Sequence, residues 1–351
     1  MSLEKRCSCT TAPILAHKRL GIIHTALRNT MPLLSVVLPT YNSGELVIET
    51  LQSLLAQTFT DFELLVMDDA SSDGTWERLG GFDDPRIRLH RNACNVGLPT
   101  NMNIAMAMAK GKYLARVDHD DCAMPERFAR QVDFLEKNPD ITVVGSQLEH
   151  FQDEAGITGL PLDDATIKAR MVEGFDYLAN QSTLGRLDFY RAHALRYDPN
   201  LYVVDDLGFW MDCMLHGARF ANLPEALTRY RIHPNMTSRT LRLDRLYASK
   251  DRIYRRFLPL LFPRLQGQDC EYLLTLYRSA EDMPQTLAHM VALHRAARNA
   301  LSEIDTRWGQ SASACRESIV NLLNHARQGF EARGILGAGH AAVLDLIFQS
   351  E

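Results

Sequence analysis

The sequence has no apolar run long enough to cross a membrane and no cysteine pattern typical of a disulfide or zinc framework. Its longest apolar runs, at 33–38 and 258–262, are each interrupted by one residue and fall far short of the roughly 18 residues that a spanning helix needs. The seven cysteines are scattered and odd in number, and Cys7-x-Cys9 has no His or Cys partner nearby. These absences exclude a transmembrane protein and a disulfide scaffold, and they favour a reducing, cytoplasmic location.

The sequence also lacks an excess of positive charge, internal repeats and low-complexity tracts. Lys and Arg number 38 against 43 Asp and Glu, which gives a net charge of −5. A mildly acidic chain is not suited to general nucleic-acid binding, so we expect no nucleic-acid partner. Residues 1–31 have dispersed basic residues and no continuous apolar segment, and we interpret them as a partly helical leader rather than a signal peptide.

From Leu33 onward, short β-branched runs alternate with helical patterns, which is typical of a mostly parallel sheet flanked by helices. Ser35–Leu38 is predicted to be a buried strand that ends at Pro39, because proline cannot donate to strand pairing. A helix is predicted from Leu98 to Lys110, with Gly111 as its C-cap. Residues 239–351 show only helical patterns. The prediction is an α/β domain over 32–238 followed by a helical C-terminal region over 239–351.

Polar clusters follow three of the predicted strands: 39–42, Asp68-Asp69 and 118–121. In an open parallel sheet, ligands bind beyond the carboxyl ends of the strands. Any one cluster alone is more simply explained by turns or helix caps. Three clusters at the same edge would repel one another without a cation, which indicates a divalent metal. Hard oxygen ligands suit Mg²⁺ or Mn²⁺, and such a metal usually completes its shell with phosphates. A phosphorylated substrate is therefore predicted.

These segments resemble the successive signatures of family 2 glycosyltransferases, which have the GT-A fold and use nucleotide-sugar donors. The resemblance covers about residues 33–238, with the order and spacing of the motifs preserved. The motifs are Leu34-Ser-Val-Val-Leu-Pro-Thr-Tyr-Asn42, Val66-Met-Asp-Asp-Ala-Ser-Ser-Asp-Gly-Thr75, Asn95-x-Gly97, Tyr113-Leu-Ala-Arg-Val-Asp-His-Asp-Asp121, Pro125-Glu-Arg127 with Gln131, Asp205-Asp206 with Trp210, and Tyr230-Arg-Ile-His-Pro234.

The resemblance implies a role for each matching residue. Asp68 or Asp69 would accept a hydrogen bond from the base, Asp118 would lie near the ribose and diphosphate, and Trp210 would either stack on a sugar or belong to the core. Asp206, supported by Asp205, would be the catalytic base. The metal ligands would be Asp120, the second acid of Asp118-x-Asp120, and His233, whose alternative role is that of a turn residue before Pro234. The full set implied for the nucleotide sugar is Pro39, Thr40, Tyr41, Asn42, Asp68, Asp69, Asn95, Gly97, Asp118, His119 and Trp210.

Three differences from the family pattern affect this interpretation. Met102 stands where the family often has Arg before Asn103, so one phosphate-side cation is missing. Gly208 stands where the family often has a further Asp, which puts acceptor-side hydrogen bonding in doubt. No Gln-x-x-Arg-Trp follows Trp210, and that motif is typical of processive synthases. Single-sugar transfer is therefore predicted.

The resemblance implies an inverting transferase that moves a sugar, most often from a UDP-sugar, to a saccharide or lipid-linked acceptor in cell-surface polysaccharide or glycolipid synthesis. Two alternatives stay open: a non-catalytic nucleotide-sugar-binding module and a sugar-phosphate nucleotidyltransferase. The pair Asp205-Asp206 argues against the first, since a binding module needs no base. The segment 39–44 has no Arg or Lys to hold a triphosphate, which argues against the second.

Residues 239–264 form a basic amphipathic segment with eight basic and two acidic residues. Such a helix can lie on an anionic membrane surface, which would make the enzyme peripheral at the inner face of the membrane. The alternative is that its apolar stripe packs on the sheet domain or on a second subunit while the arginines face water. A homo-oligomer is thus one of the outcomes that the pattern allows. The stripe consists of Leu243, Leu246, Tyr247, Ile253, Tyr254, Phe257 and Leu261.

Overall fold

The computed structural model describes residues 31–175, 177–234, 236, 239–265, 267–278, 286–307 and 311–332. The leader predicted at 1–31 lies outside the described residues, apart from Met31. The prediction of an α/β domain followed by helices is confirmed, because no strand occurs after Ile232 within the described part of the chain.

Within the described residues, nine strands form one sheet. Their bounds are β1 Leu34–Thr40, β2 Phe62–Asp68, β3 Ile87–Arg91, β4 Tyr113–Arg116, β5 Cys122–Ala123, β6 Val143–Gln152, β7 Gly156–Ile157, β8 Leu184–Arg186 and β9 Phe220–Ile232. The strand order is β3-β2-β1-β4-β8-β6-β9-β5, with β7 paired to β6. The pairs β3-β2, β2-β1, β1-β4 and β6-β9 are parallel, whereas β8 and β5 pair antiparallel with their neighbours. The carboxyl ends of β1, β2 and β4 therefore meet at one edge.

Helices cover both faces of this sheet. In the sheet domain they are α1 Leu46–Leu55, α2 Thr75–Leu79, α3 Leu98–Met108, α4 Arg127–Lys137, α5 Asp164–Glu173, α6 Leu187–Ala192 and α7 Asp205–Leu215; in the C-terminal region they are α8 Leu243–Leu261, α9 Gln268–Leu274, α10 Leu287–Arg307 and α11 Ala312–Ala332. Alternate residues of β1 pack to opposite sides: Val37 belongs to the core under α3 and α7, and Val36 and Leu38 belong to the core under α1 and α4. A strand buried on both faces explains the continuous apolar run.

The predicted end of β1 at Pro39 is wrong. The strand continues to Thr40, and Pro39 pairs with Met67 of β2. Strand β4 pairs with β1 only from Leu34 to Val37, so one edge of β1 is already open at Pro39 and no donor is needed there.

The predicted cap of α3 is also wrong. The helix ends at Met108 with Ala109 as its C-cap. Gly111 serves close packing instead, because a Cβ atom at this position would lie 2.6 Å from the backbone nitrogen of Ser35.

The C-terminal half of the apolar stripe is buried inside the protein, whereas Leu243 at its start is 57% exposed. Ile253, Tyr254 and Phe257 of α8 are each at most 2% exposed and belong to the core that also holds α7. Many of its arginines form ion pairs with neighbouring carboxylates, such as Arg256 with Asp212 at 2.6 Å. The packing alternative is therefore confirmed for Ile253, Tyr254 and Phe257, and contact of the rest of the segment with a membrane stays a prediction. In the described part of the chain, no helix is both long and apolar enough to span a bilayer.

Candidate active site

A cavity of about 440 Å³ lies at the edge where β1, β2 and β4 end. Its walls include the segments after β1, β2 and β4, the start of α3 and the end of β9. Of the predicted site residues, nine line it: Pro39, Thr40, Tyr41, Asp69, Asn95, Gly97, Asp118, His119 and Asp120. Five further residues complete the lining: Leu98, Asn101, Arg116, Tyr230 and Met236. The topology thus brings the three polar clusters together, as the sequence predicts.

Asp69 closes the loop before α3. Its carboxylate accepts the backbone N–H groups of Val96 and Gly97, each at 2.9 Å, and the side-chain amide of Asn92 at 2.8 Å. Gly97 has a φ of +84°, a conformation that a side chain would strain. Three of the carboxylate's acceptor positions are therefore occupied by the protein itself, and Asp69 shapes this wall of the cavity.

Two predicted contact residues, Asp68 and Asn42, are not among the residues that line the cavity. Asp68 is fully buried and ion-paired with Arg91 at 3.1 Å. The side-chain oxygen of Asn42 accepts a hydrogen bond from the backbone N–H of Ser72 at 2.9 Å. The backbone N–H of Asn42 donates to the hydroxyl of Ser71. Asp68 and Asn42 join the loops behind the cavity. Of the two carboxylates considered for a hydrogen bond to the nucleobase, only that of Asp69 belongs to a residue that lines the cavity.

Arg116 is a cavity residue that sequence reasoning missed. Its Nε donates to Asp118 at 2.9 Å, and its Nη1 is buried with no hydrogen-bond partner. Burial lowers the pKa of this guanidinium, but the charges of Asp118, Tyr197 and Asp205 outweigh burial and raise it. Arg116 therefore carries a fixed positive charge between the Asp118 side and the α7 side of the site. It lies within the Tyr113–Asp121 motif, but nothing in its local pattern indicates that role.

Asp120 and His233 approach each other from different segments. The Oδ2 of Asp120 lies 3.1 Å from the Nε2 of His233, and both side chains are only partly exposed. The neighbouring Arg231 fixes this arrangement, because its Nε donates to the backbone oxygen of Asp120 at 2.8 Å and its N–H donates to Asp121 at 3.0 Å.

The chemistry of these donors fits a divalent cation that shares its shell with phosphates. A carboxylate oxygen and an imidazole nitrogen both suit Mn²⁺. Burial, together with the carboxylates of Asp120 and Asp118, raises the pKa of Asp121 well above its usual range, and its Oδ2 is buried without a partner. No group of three or more His, Cys, Asp or Glu side chains able to bind a metal occurs in the described ranges.

Asp205 and Asp206 begin α7. Asp205 is buried, and its Oδ2 has no hydrogen-bond partner; Asp206 is partly exposed. Burial raises the pKa of Asp205, and the charge of Arg116 opposes this. Burial and the charge of Asp205 raise the pKa of Asp206 to about 7, against the opposing effects of Arg116 and Tyr177. A carboxyl group that titrates near neutrality can take up a proton during catalysis.

Trp210 does not reach the cavity. It is 2% exposed and lies in the core, with edge-on contacts to Phe209 at 5.0 Å and Phe220 at 6.4 Å. Of the two roles considered for it, the core role is the correct one, and its assignment to the nucleotide-sugar site is wrong.

The described architecture is similar to that of known GT-A enzymes. Staphylococcus aureus TarS 1–349 in complex with UDP-GlcNAc superposes with a TM-score of 0.59 at 18% identity, covering 84% of this chain and 92% of that one. The mannosyltransferase PcManGT from Pyrobaculum calidifontis, in complex with GDP-Man and Mn²⁺, superposes with a TM-score of 0.51 at 18% identity. This superposition covers 92% of this chain and 89% of that one. The fold class predicted from the sequence is confirmed: this is a GT-A-type sheet with flanking helices.

Sequence comparison identifies the family. The family model described as glycosyl transferase family 2 matches residues 35–191. An uncharacterized glycosyltransferase of Haemophilus influenzae is 34% identical over 220 residues, 59% of this chain and 68% of that protein. The UDP-Glc:alpha-D-GlcNAc-diphosphoundecaprenol beta-1,3-glucosyltransferase WfaP of Escherichia coli is 33% identical over 106 residues, 30% of this chain and 42% of that one. The chain belongs to glycosyl transferase family 2.

Proposed function

We propose that this glycosyltransferase moves a single sugar from a nucleoside-diphosphate sugar, with UDP favoured, to an acceptor hydroxyl, with inversion at the anomeric carbon. The observation that carries the proposal is the approach of Asp120 and His233 beside a cavity lined by Thr40, Tyr41 and Asp118. A nucleoside would enter against the β1 and β2 ends, and its diphosphate would reach the Asp118–Asp120 side.

The reaction would be a single displacement. Asp206 takes the proton of the acceptor hydroxyl while that oxygen attacks the anomeric carbon from the face opposite the diphosphate. The new carbon–oxygen bond forms as the bond to the diphosphate breaks, and the nucleoside diphosphate leaves. A divalent metal bound by Asp120 and His233 would supply Lewis-acid stabilisation of the leaving charge. Arg116 would hold Asp118 in place on the donor side.

The acceptor would be a saccharide or a lipid-linked saccharide in polysaccharide or glycolipid synthesis. The support is the partial similarity to WfaP, whose name describes transfer from UDP-Glc to a diphosphoundecaprenol-linked sugar. The UDP preference rests on the same relative and on TarS, crystallised with UDP-GlcNAc. PcManGT with GDP-Man makes guanosine the alternative base to test.

A donor screen tests the proposal. The protein is incubated with UDP-glucose, UDP-GlcNAc, UDP-galactose, dTDP-glucose and GDP-mannose, with Mn²⁺ or with EDTA, and its melting temperature and nucleoside-diphosphate release are measured. A ligand present at about 100 times its Kd stabilises the native state by about 2.7 kcal/mol. We expect a metal-dependent rise in melting temperature and diphosphate release with one UDP-sugar. Stabilisation by a donor without any release, either to water or to added saccharide acceptors, would instead support a binding module.

A further inference from the structure

The loop that leads into α7 contains a strained residue. Val203 has a φ of +67°, and it lies two positions before Asp205. A β-branched side chain in this left-handed region is a true outlier and costs about 1–3 kcal/mol. Such a conformation persists only where the surrounding structure holds it. The contacts that hold this loop therefore also determine where α7 starts.

Helix α8 of the C-terminal region supplies those contacts. The N–H of Tyr202 donates to the Oγ of Ser249 at 2.9 Å, and Ser249 is only 5% exposed. The guanidinium of Arg245 lies 4.4 Å from the ring centroid of Tyr202. Tyr202, the residue directly before Val203, is thus held both by its backbone and by its ring.

Gly208 allows α7, the loop and α8 to pack closely. A Cβ atom at Gly208 would lie 2.6 Å from Cδ1 of Leu201 in the loop and 3.9 Å from Ile253 of α8. This is the position at which the family pattern often has an aspartate. The glycine therefore lets the loop and α8 lie directly on the first turns of α7.

We propose that Ser249 and Arg245 of α8 are positioning residues for Asp206. They hold Tyr202, and through it the strained Val203, so that α7 begins in the orientation that aims Asp206 at the acceptor. The inference rests on the proposed function, in which Asp206 is the base. It gives the helical C-terminal region a part in catalysis, although no residue of α8 lines the cavity.

The test compares Ser249→Ala and Arg245→Ala with a matched control, Arg256→Ala. Arg256 pairs with Asp212 farther along α7, so its loss weakens the same helix pair without touching the loop. The readout is the rate of nucleoside-diphosphate release from the donor selected in the screen. General-base catalysis contributes about 10²–10⁴-fold, so we expect a misaligned base to cost about tenfold in kcat. The donor KM should stay within about twofold, because ground-state binding is untouched.

Two further measurements separate positioning from stability. Hydrogen exchange of the segment 199–206 should rise in Ser249→Ala and Arg245→Ala and stay unchanged in Arg256→Ala. Adding Val203→Gly to Ser249→Ala should recover part of kcat. Glycine adopts a positive φ without strain, so the loop no longer depends on the contact between Tyr202 and Ser249. A purely structural Ser249 would show no such recovery.

The outcomes distinguish this inference from the proposed function. If Asp206→Asn abolishes release while Ser249→Ala and Arg245→Ala keep wild-type kcat, the positioning role is overturned and the base assignment stands. If Asp206→Asn stays active, the base assignment fails. Unchanged hydrogen exchange at 199–206 in both α8 variants would show that Ser249 and Arg245 do not hold this loop, and it would overturn the positioning role whatever the activity.

Discussion

At the scale of single residues, the proposed mechanism makes the protonation state of Asp206 set the pH range in which transfer can occur. A base must be deprotonated, and burial together with Asp205 raises the pKa of Asp206 to about 7. The fraction able to act therefore increases as pH rises through neutrality. We expect kcat/KM for the donor to rise between about pH 5 and 8 and then to level off. Initial rates across that range measure this directly.

The variant Asp205→Asn tests the cause of that shift. It removes a negative charge beside Asp206, so the pKa of Asp206 should fall. The acid limb of the pH profile of kcat/KM should therefore move to lower pH. The matched control is Asp212→Asn on the same helix, which should leave the limb in place. An acid limb that stays near pH 7 in Asp205→Asn, or moves higher, would contradict the account.

Asp120 and His233 give a prediction about metal binding. Asp120→Ala removes a carboxylate ligand while the diphosphate keeps its charge, so Mn²⁺ should no longer strengthen UDP binding. Calorimetric titration of UDP with and without Mn²⁺ measures this. The control Asp140→Ala removes an exposed carboxylate paired with Arg219, far along the chain from the motif. Equal Mn²⁺-dependent binding in Asp120→Ala and the wild type would place the metal elsewhere.

At the scale of elements, the carboxylate of Asp69 joins β2 to the start of α3. Asp69→Asn would replace one carboxylate oxygen with an amide NH₂ group, which would face the backbone N–H of either Val96 or Gly97 and leave a donor unsatisfied. The cavity wall should loosen, and the donor KM should rise by about tenfold, which corresponds to about 1.4 kcal/mol. Saturation kinetics with the selected donor measure the change. A donor KM equal to that of the wild type would show that this loop does not contact the nucleotide.

The order of the elements was predictable because each depends on local pattern. Alternating β-branched runs and amphipathic stretches fixed the α/β order, and motifs after the strand ends pointed to the cavity edge. The end of β1 was not predictable, since whether Pro39 can pair depends on how far β4 extends along the other side. The end of α3 was missed for a similar reason: Gly111 is required by the close approach of Ser35.

The errors within the site also concern distant parts of the chain. Nothing local to Arg116 indicates that Asp205, 89 residues later in the chain, acts on its guanidinium. Trp210 lies one turn after Asp206 on α7, a position that suits either a sugar contact or the core, and its packing against Phe220 decides for the core. The local sequence shows which chemical groups are present, but the topology of the sheet determines which of these groups come into contact.

At the scale of the whole molecule, the C-terminal helices are part of one fold with the sheet domain. Phe257 of α8 is 1% exposed and packs into the core, whereas Leu260 on the same helix is 48% exposed. Phe257→Ala should therefore destabilise the protein by about 3–5 kcal/mol. Leu260→Ala, the matched control, should change stability by less than about 0.5 kcal/mol. Urea unfolding compares the two variants, and equal effects would mean that this stripe does not dock on the protein.

The central claim, that Asp206 is the base of a single-displacement glycosyl transfer, is tested most directly by nucleoside-diphosphate release from Asp206→Asn with the selected donor. Loss of general-base catalysis should lower kcat by at least about 10²-fold. Donor affinity should stay close to that of the wild type, because Asp206 lies outside the cavity lining. A variant that binds the donor normally and turns over more than a hundredfold slower is the predicted result, while wild-type release by Asp206→Asn would contradict it.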